Sequence, residues 1–176
     1  MFRAICFSVM LLPVMALSQD DPVVPEPPMT IDRLSEIVTA LDPDVIMRGP
    51  AMEFTLEDIP IVVIADPGAD RMRAMVPIAS LEDVSAEEMT RMMQANFDTA
   101  LDARYAVAQD RVWGVYIHPL AALERAEFLS GIAQTVNLAR SYGSTYSGGA
   151  QVFGGGDSNG IYEDLLQDLL DRGQDI

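Results

Sequence analysis

ARYAVAQDRVWGVYIHPLAALERAEFLSGIAQTVNLARSYG, residues Ala103–Gly143, carries the plan of this chain. Val112, Trp113, Val115, Tyr116 and Ile117 suit a pleated, partly buried surface. Tyr105 and Val107 share one face of a strand before them, because side chains alternate along a strand. The two strands, Arg104–Ala108 and Val112–Ile117, meet at a turn around Gln109-Asp110-Arg111. Gly114 marks a bulge or a close approach of another backbone. Pro119 keeps His118 out of the helical region and ends the second strand. Beyond it, Phe128, Leu129, Ile132, Val136 and Ala139 recur at three- and four-residue spacing, the apolar stripe of an amphipathic helix. Gly143 is a helix stop. Hairpin and helix each have one face to bury, and the simplest solution lays the helix on the sheet. Trp113 is then expected in the sheet–helix core.

Upstream, Thr30 caps a helix whose stripe is Ile31, Leu34, Ile37, Val38 and Leu41, and Pro43 ends it. Val45–Arg48 reads as a short extra strand. Met52, Phe54 and Leu56 alternate with polar neighbours, a half-buried strand. Ile61–Ala65 is apolar throughout and suits an inner strand or one covered on both sides. Asp66-Pro67-Gly68 is a turn, and Arg71–Ile78 a strand that Pro77 confines to an edge or a bulge. Ser85-Ala86-Glu87-Glu88 is a capping box flanked by Val84 and Met89. Met89, Met92, Met93 and Phe97 line one face of the helix it starts. The expected class is α+β: an antiparallel sheet of about five strands with helices packed on it.

The runs NFDTALDARYAV (Asn96–Val107), VWGVYIHPL (Val112–Leu120) and EFLSGIAQTVNLA (Glu127–Ala139) resemble the YbjN-like family, which has the type III secretion chaperone-like fold. The resemblance extends back to about Thr30. It implies the order helix, three strands, helix, two strands, helix. Its motifs are structural, so it implies a binding or chaperoning role and no catalytic residue.

The ends of the chain carry other signals. Arg3, the apolar Ala4–Ala16 and the small residues of Ala16-Leu17-Ser18 predict a cleaved signal peptide over 1–18 and a periplasmic or secreted product. Removing it removes Cys6, the only cysteine, and with it disulfide and thiol chemistry. The remaining chain holds 27 acids against ten arginines and no lysine, a charge of −17 that repels nucleic acid and anionic lipid. No second apolar run is long enough to span a membrane. Residues 19–29 are acidic and proline-rich and read as a linker into a domain over 30–143. Seven of the 12 glycines lie between Gly143 and Gly160, so 144–160 reads as a flexible linker. Residues 161–176 form a short acidic amphipathic tail, with Ile161, Leu165, Leu166 and Leu169 on one side, expected to add little stability.

Chemistry is sparse. His118 is the only histidine, and no G-x-S-x-G elbow accompanies it. The acids show no catalytic pairing by spacing. Gly154-Gly155-Gly156 lacks the lysine of a phosphate loop, and Asp157-Ser158-Asn159-Gly160 departs from a calcium loop in the place of its glycine. Met89, Met92 and Met93 have the thioethers that bind Cu(I), but the same positions form the apolar stripe of their helix. No cofactor is expected. Arg71, Arg73 and Arg104 stand out against the acidic background, either paired with local acids or free to hold a partner's carboxylate. With Met89, Met92 and Met93 they are the candidate partner-binding residues. The expected function is non-enzymatic: binding or chaperoning another protein in the cell envelope, or self-association as a homodimer. The competing class is a hydrolase or metal-dependent envelope enzyme.

Overall fold

The structure, a computed structural model, describes residues 26–98, 101–141 and 159–173. The segment 1–18, the glycine run Gly154–Gly156 and Asp157-Ser158 lie outside the described residues. The elements follow in the order α1 (Ile31–Leu41), β1 (Ile46–Arg48), β2 (Ala51–Leu56), β3 (Ile59–Asp66), β4 (Arg71–Ser80), α2 (Ala86–Asp98), β5 (Arg104–Ala108), β6 (Arg111–His118), α3 (Arg125–Arg140) and α4 (Asn159–Gly173). The α+β class holds. The sheet has six antiparallel strands in the order β1-β2-β3-β4-β6-β5, one more than expected because Ile46–Arg48 pairs as an edge strand. From α1 to α3, with β1 set aside, the order of helices and strands is the one the family resemblance implies; β1 and α4 are the additions.

Local chemistry sets the boundaries. Thr30 Oγ1 accepts from the Arg33 amide at 3.2 Å and starts α1. Asp42 ends it, and its carboxylate then accepts from the amides of Asp44 and Thr55, both at 2.9 Å, which ties the helix end to β2. At α2 the capping box forms: the Glu88 carboxylate accepts from the Ser85 amide at 2.8 Å, and Ser85 Oγ from the Glu88 amide at 3.2 Å. A second box, Glu124 with Glu127, starts α3. The hairpins turn on Glu57-Asp58 and Gln109-Asp110, all at φ between 52° and 65°, the left-handed region that two-residue hairpin turns require and that aspartate enters more readily than branched residues do. The expected irregularity at Pro77 is a register shift between Pro77 and Ala79 against β6.

One face of the sheet carries the core. Met52, Phe54, Ile61, Val63, Met72, Ala74, Val76 and Tyr116 point at α1 and α3 and are buried. Ile61–Ala65 is an inner strand covered on this side only: Ile61, Val63 and Ala65 are buried, and Ile64 faces out. α3 is enclosed on more than its stripe, since Phe128, Leu129 and every residue from Gly131 to Val136 are buried. The reason is α4. Leu165 and Leu169 join the same core, and Tyr162 OH lies 2.9 Å from Ser130 Oγ on α3. The tail is therefore a packed layer of the fold, not an appendage. The end of the proline-rich segment is docked as well: Met29 is buried, and the Glu26 carboxylate meets Arg33 and the Arg125 amide at the start of α3. The Arg33 hydrogen bond, helped by the Arg125 amide, holds the Glu26 carboxyl below its ordinary range.

Trp113 and the methionine stripe also depart from what the sequence leads one to expect. Val112, Gly114 and Tyr116 face α3, so Trp113 points to the other side of the sheet and is only half-buried, its indole N–H donating to Ala108 O at 3.0 Å. Alternation allows one of two faces, and Gly114 lies on the one against α3, where an added Cβ would meet Thr135 O at a tight 3.2 Å and Leu138 Cβ at 3.5 Å. The methionine stripe also splits. Met92 is buried against Tyr105 and Val112, and Met89 is partly buried beside it. Met93 is 44% exposed and Phe97 84%.

Tyr116 gives the fold a pH signature. Burial pushes its phenol up to about 12, with Glu127 and Asp102 adding repulsion for the anion. In the unfolded chain a tyrosine titrates near ~10. The folded state prefers the neutral phenol, so its stabilising effect is complete below pH ~10 and lost as pH rises toward about 12. The urea midpoint of the wild type should fall across that window more steeply than that of Tyr116→Phe. Parallel curves would show that the buried phenol does not carry the loss.

Candidate protein-binding surface

Every described helix packs on or beside the Met52–Tyr116 side of the sheet. The opposite side has no covering element among the described residues. Cross-strand partners place side chains in rows. One row runs Ile46, Glu53, Val62, Met75, Val115 and Arg104. The next runs Arg48, Ala51, Ile64, Arg73 and Ile117. A third sets Pro77 beside Trp113 and Ala106. Val62, Met75, Val115 and Trp113 are half-buried among their neighbours, while Ile64 and Ile117 are 37% and 53% exposed. Large apolar side chains on adjacent strands form a contiguous patch of the kind that marks an interaction surface.

Arginine frames this patch. Arg71 and Arg73 are two residues apart on β4 and share its outer face; Arg104 stands two strands away at the end of the Met75–Val115 row. Expected pairing with local acids does not occur: none of the three forms an ion pair among the described residues. Arg71 donates to its neighbour's carbonyl, Asp70 O, at 2.7 Å, and Arg104 to Leu101 O and Ala103 O at 2.5 and 3.0 Å. Of the nearby acids, Asp66 lies across from Arg71 and gives one carboxylate oxygen to the amides of Gly68 and Ala69 at 2.9 and 3.1 Å, and Glu53 pairs with Arg48 at 3.0 Å. Between Ile64, Arg73 and Ile117 the surface dips into an open depression of about 440 Å³, with Arg71 and Asp66 at its side.

The candidate residues thus divide. Arg71, Arg73 and Arg104 come together on the open sheet face. Met92 belongs to the core, and Met89 and Met93 sit on α2, which packs against β5 on the other side. The methionines do not form a common site with the arginines. The residues missed from sequence are the outward members of β3, β4 and β6, namely Ile64, Met75, Val115 and Ile117. Their signal was alternation inside runs that look uniformly apolar, such as Ile61–Ala65.

His118 is committed to local structure. Its Nδ1 is 2.8 Å from Pro119 O, its Nε2 4.0 Å from a Glu127 carboxylate oxygen, and its ring stacks on Tyr116 at 6.0 Å. Among the described residues neither ring nitrogen is hydrogen-bonded to a hydroxyl. Among the described residues no group of three or more His, Cys, Asp or Glu side chains could hold a metal ion, and no helix is long and apolar enough to cross a membrane.

No family model matches the chain, and no curated protein matches it. Among solved structures it is similar to a chain of the HopA1–SchA chaperone–effector complex, at 8% identity and TM-score 0.45 over 56% of this chain and 79% of that one. It is also similar to a chain of the ExsC–ExsE complex, at 10% identity and TM-score 0.47 over 61% of this chain and 94% of that one. At this level of likeness no functional step follows from either.

Proposed function

We propose that this chain is a non-enzymatic, chaperone-like protein-binding domain of the bacterial cell envelope. The observation that carries the binding role is the sheet face left uncovered by the described residues, where an apolar patch lies beside arginines that form no ion pair among those residues. A sheet face that served only stability would be polar, because exposed apolar rows gain nothing in a monomer. The geometry of His118, with Nδ1 on Pro119 O and Glu127 the acid nearest its Nε2, offers no support for the hydrolase reading. Export is supported by the pattern of residues 1–18, and the intact mass of the purified native protein should correspond to a chain starting at Gln19.

Trp113→Ala separates the roles. Trp113 lies outside the core, so its loss should cost no more than about 1 kcal/mol, well under the ~3–5 kcal/mol of a core aromatic. Ile117→Asp, also outside the core, should likewise fold. Affinity capture from an envelope extract, read by mass spectrometry, should recover a partner with the wild type and lose it with both variants. Equal capture by all three, or a hydrolytic activity abolished by His118→Ala, would overturn the reading.

A further inference from the structure

We infer that the occupant of the open sheet face is an acidic polypeptide segment, one that alternates carboxylates with large apolar side chains. This deepens the protein-binding reading and rests on it. After the expected cleavage the chain carries −17, yet on this face Arg71, Arg73 and Arg104, like Arg111 farther along β6, form no ion pair among the described residues, although Asp66 lies across from Arg71. Guanidinium groups bind carboxylates through two parallel hydrogen bonds, a geometry that a planar fork favours. Three of them bracket the Val62–Met75–Val115 row and the depression beside Ile64 and Ile117. Arg71 and Arg73 are separated by one residue along β4, roughly 7 Å, which matches the spacing of same-side residues in an extended segment lying along the strand.

The chain's own surplus of acid does not forbid this partner. At physiological salt the Debye length is ~8 Å, so distant carboxylates are screened while contact pairs persist. The same surplus limits the partner to a short acidic segment, because a large anionic surface would meet the acidic remainder of the molecule. A second copy does not fit: its sheet face is equally arginine-rich, and its α4 already buries Leu165 and Leu169. A nucleic-acid strand, with a charge on every residue, faces the full −17.

The test is selection of random 12-residue peptides displayed on phage against the full chain, followed by titration of synthetic hits. Acidic, apolar-rich peptides should be enriched. Arg73→Glu, at an exposed position, should keep the thermal midpoint, weaken the acidic hits at least tenfold and shift selection toward basic peptides. Recovery of neutral or basic hits by the wild type, or hits untouched by Arg73→Glu, would overturn the inference and leave protein binding standing. Selection of nothing would overturn both. A 12-mer oligothymidine that binds more tightly than the best acidic peptide would also overturn the inference.

Discussion

Removing residues 142–176, and with them α4, should lower the thermal midpoint by on the order of 10 °C or more, and the truncated chain should aggregate. Leu165 is 5% exposed and Leu169 is fully buried, both inside the cluster that contains Phe128, Leu34 and Tyr116. Tyr162, Leu166 and Leu170 pack on its margin. Truncating one such leucine typically costs about 2–5 kcal/mol, so Leu169→Ala alone should be clearly visible in a urea melt. Full deletion does more. It uncovers the second side of α3 and part of α1, and leaves Ser130 without its contact to Tyr162. An α4 of this length is marginal as an isolated helix, so its order comes from these contacts. A truncated chain that melts within a degree or two of the full one would mean that α4 does not dock in solution.

That result bears on what could be read without a structure. The stripe Phe128–Val136 was legible because one face of α3 repeats at helical spacing. Gln134 and Thr135 are also buried, and no apolar periodicity marks them. Gln134 is inside for a polar reason: its Oε1 accepts from the Asp102 and Ala103 amides at 2.8 and 2.9 Å, where β5 begins. A partner separated by more than thirty residues has no local signature. The tail read as too short to matter, because length limits an isolated helix and says nothing of one with a groove waiting. β1 was visible as an apolar run, but its pairing depended on the Gly49-Pro50 turn closing against β2.

The candidate site shows the same limit. Composition singled out Arg71, Arg73 and Arg104, since cations are scarce in so acidic a chain. It could not show that Asp66 gives one carboxylate oxygen to the turn at Gly68, or that Glu53 takes Arg48. The methionines misled because α2 is amphipathic in sequence but covers β5 with only part of its stripe, leaving Met93 and Phe97 outside. For Trp113 the missing step was available. Gly114 and Gly131 are the points at which strand and helix touch, and reading them together turns Val112 and Tyr116 inward and Trp113 outward.

Those glycines carry the second large effect. Gly131→Ala should destabilise the protein, although alanine normally strengthens a helix by ~1 kcal/mol over glycine. An ideal Cβ at position 131 would lie 2.4 Å from both Cδ1 and Cε1 of Tyr116 and 2.8 Å from Cγ. The clash is with the body of a ring, not with the end of a flexible chain. The ring has little room to retreat, since Tyr116 is 4% exposed and stacked on His118. Overpacking of this kind costs about 1–3 kcal/mol and exceeds the gain in propensity. Tyr116→Ala alone should cost about 3–5 kcal/mol through the cavity it leaves. In that background the obstacle is gone, so Gly131→Ala should become neutral or stabilising by up to ~1 kcal/mol. The sign reversal is the diagnostic, and a double-mutant cycle of urea melts measures it, with an expected coupling of about 1–3 kcal/mol. If Gly131→Ala stabilises the wild-type chain, α3 does not approach β6 as closely as described. The face assigned to Trp113, and with it the open arginine-framed surface, would then have to be drawn again.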